Sequence, residues 1–288
     1  MLSIGLAVAF GALISFTLSD FFAKRVASKW GSRRTTFLML AASLATMLAI
    51  SAFTGLTRVD SGVIILSGLS GMAYALAGLL LYRALEVEQV SNTISLVGIE
   101  YALIIVFSVA LLGESVNAIE VASFLAIFIG TFLATAAKKF RFDRGYTPAI
   151  AAMVTYAIAY MLLVFAWQGS GGILAPLIIN RIVAVAVMAI YMGFFFEPNP
   201  KFRKVHMANV GHHVLASNAL VGIFNGIAVI LLLLLPQLGF IADGSAIVAA
   251  EPALIIVLGY LAYRERFEKH QIAGLALLVI GTIVLSIA

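Results

Sequence analysis

One stretch of this chain is written twice. Ala250 to Gly281 reads AEPALIIVLGYLAYRERFEKHQIAGLALLVIG, and Ile99 to Gly130 reads IEYALIIVFSVALLGESVNAIEVASFLAIFIG. The register holds without a gap: Glu251 follows Glu100 by 151 positions, as Glu265 follows Glu114 and Gly281 follows Gly130. A repeat of this length restricts the fold to two like halves. In each copy a carboxylate stands on the N-terminal side of an apolar run.

The apolar content decides the solvent. The chain is 63% hydrophobic and only 11% charged, with a mean hydropathy of +1.11. A water-facing domain does not carry so much apolar surface; lipid is its natural medium. There is no cysteine, so no disulfide framework, thiolate metal site or thiol nucleophile is expected. The net charge of +5 comes from basic residues in short loops between apolar runs. That distribution reads as membrane orientation, not as a nucleic-acid surface. The first residues, Met1 to Ile4, lack the basic region of a cleaved signal peptide.

Runs of about 20 apolar residues each cross a bilayer, and ten of them are expected. Span 1 is Leu2 to about Phe22, span 2 Thr35 to Thr57, span 3 Ser61 to Tyr82, span 4 Ser91 to Leu112 and span 5 Ala118 to Ala137. A basic linker from Lys138 to Arg144 follows. Spans 6 and 7 share the uncharged stretch from Gly145 to Asn180, broken at Gln168 to Gly172 by clustered glycines, and span 7 continues to Phe196. Span 8 is about Met207 to Leu235, span 9 Gly244 to Tyr263 and span 10 His270 to Ala288, with a turn at Pro236 to Asp243. The expected fold is therefore all-α and integral to the membrane, with repeats at 1–139 and 146–288. Five spans per half invert the second half relative to the first, as in many secondary transporters.

Lysine and arginine in short loops mark the cytoplasmic side. With the first loop inside, all 18 such residues fall on the cytoplasmic side except Arg58 and Arg181. Both termini are then extracellular, and the membrane is the cell's own.

An ionisable side chain inside a span is a candidate site, because burying it costs about 2.5–3.5 kcal/mol on insertion scales. Glu100 stands roughly 13–14 Å along span 4, near the midplane, and Glu251 is its mate in span 9. Asn92 and Asp243 are also mates, eight residues earlier on the same helical faces. Each glutamate reads either as a proton-coupling or cation-binding group or as a packing contact. Arg181 is the basic residue within a span. It reads as an anchor for a substrate carboxylate, as an ion pair with Glu251 or Glu100, or as a snorkelling side chain. Asn218, Gly222 and Asn225 share a face of span 8, and Gly71, Tyr74 and Gly78 align with Gly222, Asn225 and Val229. Both stripes suit a cavity wall, or close helix packing. Tyr156 and Tyr160, one turn apart, either line the same cavity or anchor at the interface, where Trp30 and Trp167 are assigned. His212 and His213 are read as headgroup contacts. No nucleophile–base pair, metal-ligand spacing or phosphate loop is evident, and no cofactor or metal is called for.

The run E-P-A-L…R-E-R-F…G-L-A-L-L-V-I-G of Glu251 to Gly281 resembles the closing motif of the drug/metabolite transporter superfamily, in its EamA-like ten-helix branch. L-S-D-F-F-A-K-R of Leu18 to Arg25 and Y-R-A-L-E-V of Tyr82 to Val87 are similar to one subgroup of it. The matched residues are Glu251, Pro252, Glu265 and Gly281, with Glu100, Glu114 and Gly130 in the first half. Tyr101 stands opposite Pro252, a departure expected to straighten span 4 relative to span 9. The resemblance implies two inverted halves around a central cavity, and metabolite cargo such as amino acids, nucleotide sugars or organic cations, often moved outward. It also implies cytoplasmic termini, against the charge count.

The chain thus reads as a secondary active transporter, and an exporter, of a small polar or amphipathic metabolite such as an amino acid or organic amine. It would work by alternating access. Its partners would be that small molecule, the lipid bilayer and a coupling proton; no nucleic acid is expected, and a homodimer is left open. A membrane-embedded enzyme on lipid-linked substrates would show acid or histidine clusters facing the loops, which are missing. A non-transporting scaffold or sensor would not account for the inverted duplication.

Overall fold

The computed structural model describes residues 2–87, 97–135, 146–194, 212–263 and 268–287. The first half supplies α1 (Leu2–Trp30), α2 (Ser32–Thr54), α3 (Ser61–Val87), α4 (Val97–Leu112) and α5 (Ala118–Thr135). The second supplies α6 (Tyr146–Gln168), α7 (Leu174–Phe194), α8 (His212–Leu234), the paired short helices α9 (Ile241–Val248) and α10 (Glu251–Tyr263), and α11 (Lys269–Ile287). Among the described residues, nine helices are long and apolar enough to cross a membrane, and Ile99–Leu112 is a shorter apolar helix. Their outer faces carry exposed Leu69, Leu76, Val106, Leu125, Ile129 and Ile283, a surface suited to lipid. The basic linker, the loop before span 8 and the loop around Glu265 lie outside the described residues.

The packing follows a pseudo-twofold. Helix α1 lies against α8, as its counterpart α6 lies against α3; α8 also packs on α2, as α3 packs on α7. Helix α5 meets its own counterpart α11. There the contacts are reciprocal at the level of single residues. A Cβ on Gly130 would meet the Leu278 backbone nitrogen at 2.6 Å, and one on its mate Gly281 would meet the Ile127 nitrogen at 3.1 Å. Ile127 is the repeat mate of Leu278. Small residues let the two backbones approach where apolar solvent gives helices no hydrophobic reason to associate. The all-α, two-repeat, inverted architecture read from the sequence is the one the chain adopts.

Two departures have clear causes. The expected loop after span 1 is helical as far as Trp30, because Ala23, Val26, Ala27 and Trp30 are all buried and recur at helical spacing. A single residue, Gly31 at φ 86°, then redirects the chain into α2, a conformation open mainly to glycine. Trp30 is accordingly 1% exposed, and not the interfacial anchor expected of it.

Span 9 is broken. Its first helix ends at Val248 and the second begins at Glu251. Pro252 explains the place, since a proline ring collides with the carbonyl four residues back, here that of Val248, and has no N–H to offer it. Tyr101 has an N–H and lies within α4; residues 90–96, the counterpart of most of α9, lie outside the described residues. The first repeat holds the broken segment. Glu114 accepts hydrogen bonds from the Ile241 and Ala242 N–H groups at 2.9 and 3.0 Å, capping the free donors of α9. The Thr131 hydroxyl donates to the Ala249 carbonyl at 3.2 Å.

Gly130→Ala and Gly274→Ala should each destabilise the protein by about 1–3 kcal/mol, because the added Cβ meets backbone. Gly193→Ala, with nothing within 4 Å of the new atom, should leave stability unchanged. Thermal unfolding of the three purified variants in detergent checks the contrast.

Candidate functional site

A hollow between the repeats gathers side chains that lipid would reject. Tyr74, Glu100, Tyr156, Tyr160, Asn225 and Glu251 all line it. So does Asp20, from α1, which the sequence reading did not single out. Three carboxyl groups from three helices therefore share one space.

Glu251 is 2% exposed. The Tyr101 hydroxyl donates to its Oε2 at 3.3 Å, while among the described residues Oε1 receives no hydrogen bond from an N–H or hydroxyl group. The Asp20 carboxyl stands beside Glu251 on the wall of the hollow. Two carboxyls side by side in a buried space favour a shared proton, and a cation can take its place. Glu100 lies within electrostatic range of Asp20.

The tyrosines form much of the wall. Tyr156 stands edge-on to Tyr74, with ring centroids 4.9 Å apart. Tyr160 is held by a hydrogen bond from its hydroxyl to the Leu232 carbonyl at 3.1 Å, and Tyr82 and Tyr101 line the same space. Tyr74 and Asn225 are repeat mates, and they touch: the Tyr74 hydroxyl is 3.0 Å from Asn225 Nδ2 and 3.2 Å from Oδ1. Contact between mates places them on the pseudo-twofold.

Arg181 is not paired with Glu251 or Glu100. It is 0% exposed and donates from Nε to Ser43 Oγ at 3.0 Å, from Nη1 to Asn180 Oδ1 at 2.8 Å and from Nη2 to Asn225 Oδ1 at 3.1 Å. Its Cζ lies 3.8 Å from the centre of the Tyr74 ring, a cation–π contact. Neutral acceptors and a ring thus satisfy the guanidinium, and Tyr74 and Asn225 separate it from the hollow. Asn180 is fixed in turn, its Nδ2 donating to Ser70 Oγ at 2.8 Å.

The other candidates fall elsewhere. Asn218 is buried without a hydrogen-bond partner among the described residues and does not line the hollow. Asp243 sits at the start of α9 beside Glu114 and Glu120 and does not line the hollow. Asn92 lies outside the described residues. Asp20 escaped notice because it stands near the end of span 1, next to the basic residues Lys24 and Arg25. The signal was there: an acid within an apolar run.

These features define a class, a multi-pass membrane protein of two inverted helical repeats around a polar hollow. Comparison with known proteins narrows it. The EamA-like transporter family matches residues 3–136 and again 143–287, and the chain belongs to that family. A protein of known crystal structure is 20% identical, with a TM-score of 0.78, over 100% of this chain and 98% of the other; at that identity the likeness is one of fold. No curated protein sequence matches the chain.

Asn225→Ala should cost about 1.5–3 kcal/mol, the usual loss when a buried charge gives up a hydrogen bond. Arg181→Lys should be no milder, because an ammonium cannot hold three acceptors and a ring face in one plane. Melting temperatures in detergent check both.

Proposed function

We propose that this chain is a secondary active transporter that moves a small polar or amphipathic metabolite, an amino acid or organic amine, through the hollow by alternating access. The repeats taken as 1–139 and 146–288 would be the two moving halves. The observation carrying this reading is the hollow itself: acids from both repeats converge there instead of on separate packing contacts. Membership of a transporter family supports the same reading. Glu100 and Glu251, with Asp20, would carry charge or proton coupling, and Tyr74, Tyr156, Tyr160 and Asn225 would form the wall. Export is the direction proposed, with a proton moving the other way.

Protons and a cationic cargo compete for the same carboxylates. An acidic outside therefore loads protons and releases cargo there, while a less acidic inside does the reverse. In proteoliposomes, transport should be driven by a proton gradient in the opposite direction. Glu251→Gln and Glu100→Gln should each lower that gradient-driven rate by about tenfold or more and flatten its dependence on pH. Normal transport by both variants at all pH values would remove the coupling role.

The distribution of lysine and arginine places both termini outside the plasma membrane on this reading. A reporter that is active only in the cytosol, fused after Ala288, should be silent; an active fusion reverses the topology.

A further inference from the structure

The charge of the hollow carries information about its cargo. Three carboxyl groups, Asp20, Glu100 and Glu251, reach it. Among the described residues the nearby cation is Arg181, which is fully buried and engaged by Ser43, Asn180, Asn225 and the Tyr74 ring. A substrate carboxylate could reach that guanidinium only by displacing Tyr74 and Asn225, which brace each other on the axis. It would meanwhile face three acids. A positively charged head meets the opposite situation. Glu251 Oε1 is buried with no N–H or hydroxyl donor among the described residues, Tyr101 already fixes Oε2, and tyrosine rings flank the space, as cation recognition favours.

We propose that the Asp20–Glu251 pair binds the ammonium group of a monoamine with an apolar or aromatic body, and that the site rejects the same skeleton bearing a carboxylate. The inference uses the hollow of the transport reading but concerns binding alone. The exchange balances simply. The ammonium enters carrying its own charge, its N–H groups bridge the two carboxylates, and the proton formerly between those oxygens leaves to solvent. Among the described residues, the titratable groups facing the pair are Glu100 and Tyr101 from α4, Tyr74 and Tyr82 from α3, and Tyr156 from α6; α8 contributes neutral Asn225, and Arg181 of α7 stands behind Tyr74.

Three probes share a phenyl body and differ in charge: phenethylamine, phenylalanine and phenylacetate. With the purified full-length protein in detergent, phenethylamine at about a hundredfold excess over its Kd should raise the melting temperature by roughly 5 °C. In weak buffer its binding should release protons, and its affinity should rise with pH while the amine stays charged. Phenylalanine and phenylacetate should bind roughly tenfold more weakly or worse. Asp20→Asn and Glu251→Gln should abolish the proton release. Because either variant can misfold, the comparison of probes on the unaltered protein is the deciding measurement. Phenylalanine binding as tightly as phenethylamine, phenethylamine failing to bind, or binding without proton release would each overturn the proposal. Binding of the amine with no movement across a liposome would leave it standing and remove the transport reading instead.

Discussion

A charge inside a membrane must be matched by a partner or given a polar space, and the architecture of this protein is organised by that requirement. One acid near the bilayer centre costs about 2.5–3.5 kcal/mol on insertion scales. Asp20, Glu100 and Glu251 are brought to the same hollow, so helices from both repeats must close around it. The outer surface is left to leucine, isoleucine and valine. Packing at the periphery then relies on small residues: Gly130 and Gly274 let α5 and α11 touch backbone to backbone, because lipid supplies no hydrophobic drive to bring them together.

The duplication supplies the symmetry, and small departures from it supply the chemistry. A Tyr74–Asn225 contact on the pseudo-axis is possible because the two mates differ; their groups are complementary where two tyrosines would be redundant. Pro252 opposite Tyr101 has the larger effect. It stands at the break in span 9, with Glu251 in the first turn of α10 as Glu100 is in the first turn of α4. The same exchange puts a hydroxyl on Tyr101, which donates to Glu251. One substitution between the halves thus makes the two glutamates inequivalent: Glu251 is fixed and almost fully buried, while Glu100 keeps part of its surface open.

Much of this was legible from the sequence. The constant offset from Glu100 to Glu251 announced the duplication, and apolar runs announced the helices, because both signals are local. The failures were failures of partner assignment. Arg181 was expected to seek a carboxylate, since opposite charges attract at long range; the structure satisfies it with Ser43, Asn180 and Asn225, two of which lie far away in sequence and carry no charge to advertise them. Asp20 lay inside the expected span, two residues from its end, where the following Lys24 and Arg25 made it look like part of a charged loop. The buried Ala23, Val26, Ala27 and Trp30 extend α1 past it, and the interleaved Lys24 and Arg25 disguised the continuation as a loop. Asp243, expected on the face of Glu251, stands at the start of α9 and outside the hollow.

The location of each contact relative to the pseudo-axis bears on the alternating-access reading. Inverted repeats reach the opposite-facing state when the halves exchange conformations. A contact between mates, such as Tyr74 with Asn225, or a reciprocal pair, such as Gly130 with Leu278 and Gly281 with Ile127, maps onto itself under that exchange and can persist. The hold of Glu114 on Ile241 and Ala242 joins the first repeat to the second; its counterpart, Glu265 with positions 90 and 91, lies outside the described residues. The Glu114 carboxylate grips α9, the segment already detached from α10 by Pro252. The part of span 9 best placed to move without dragging Glu251 is therefore the part that a single ionisable side chain restrains.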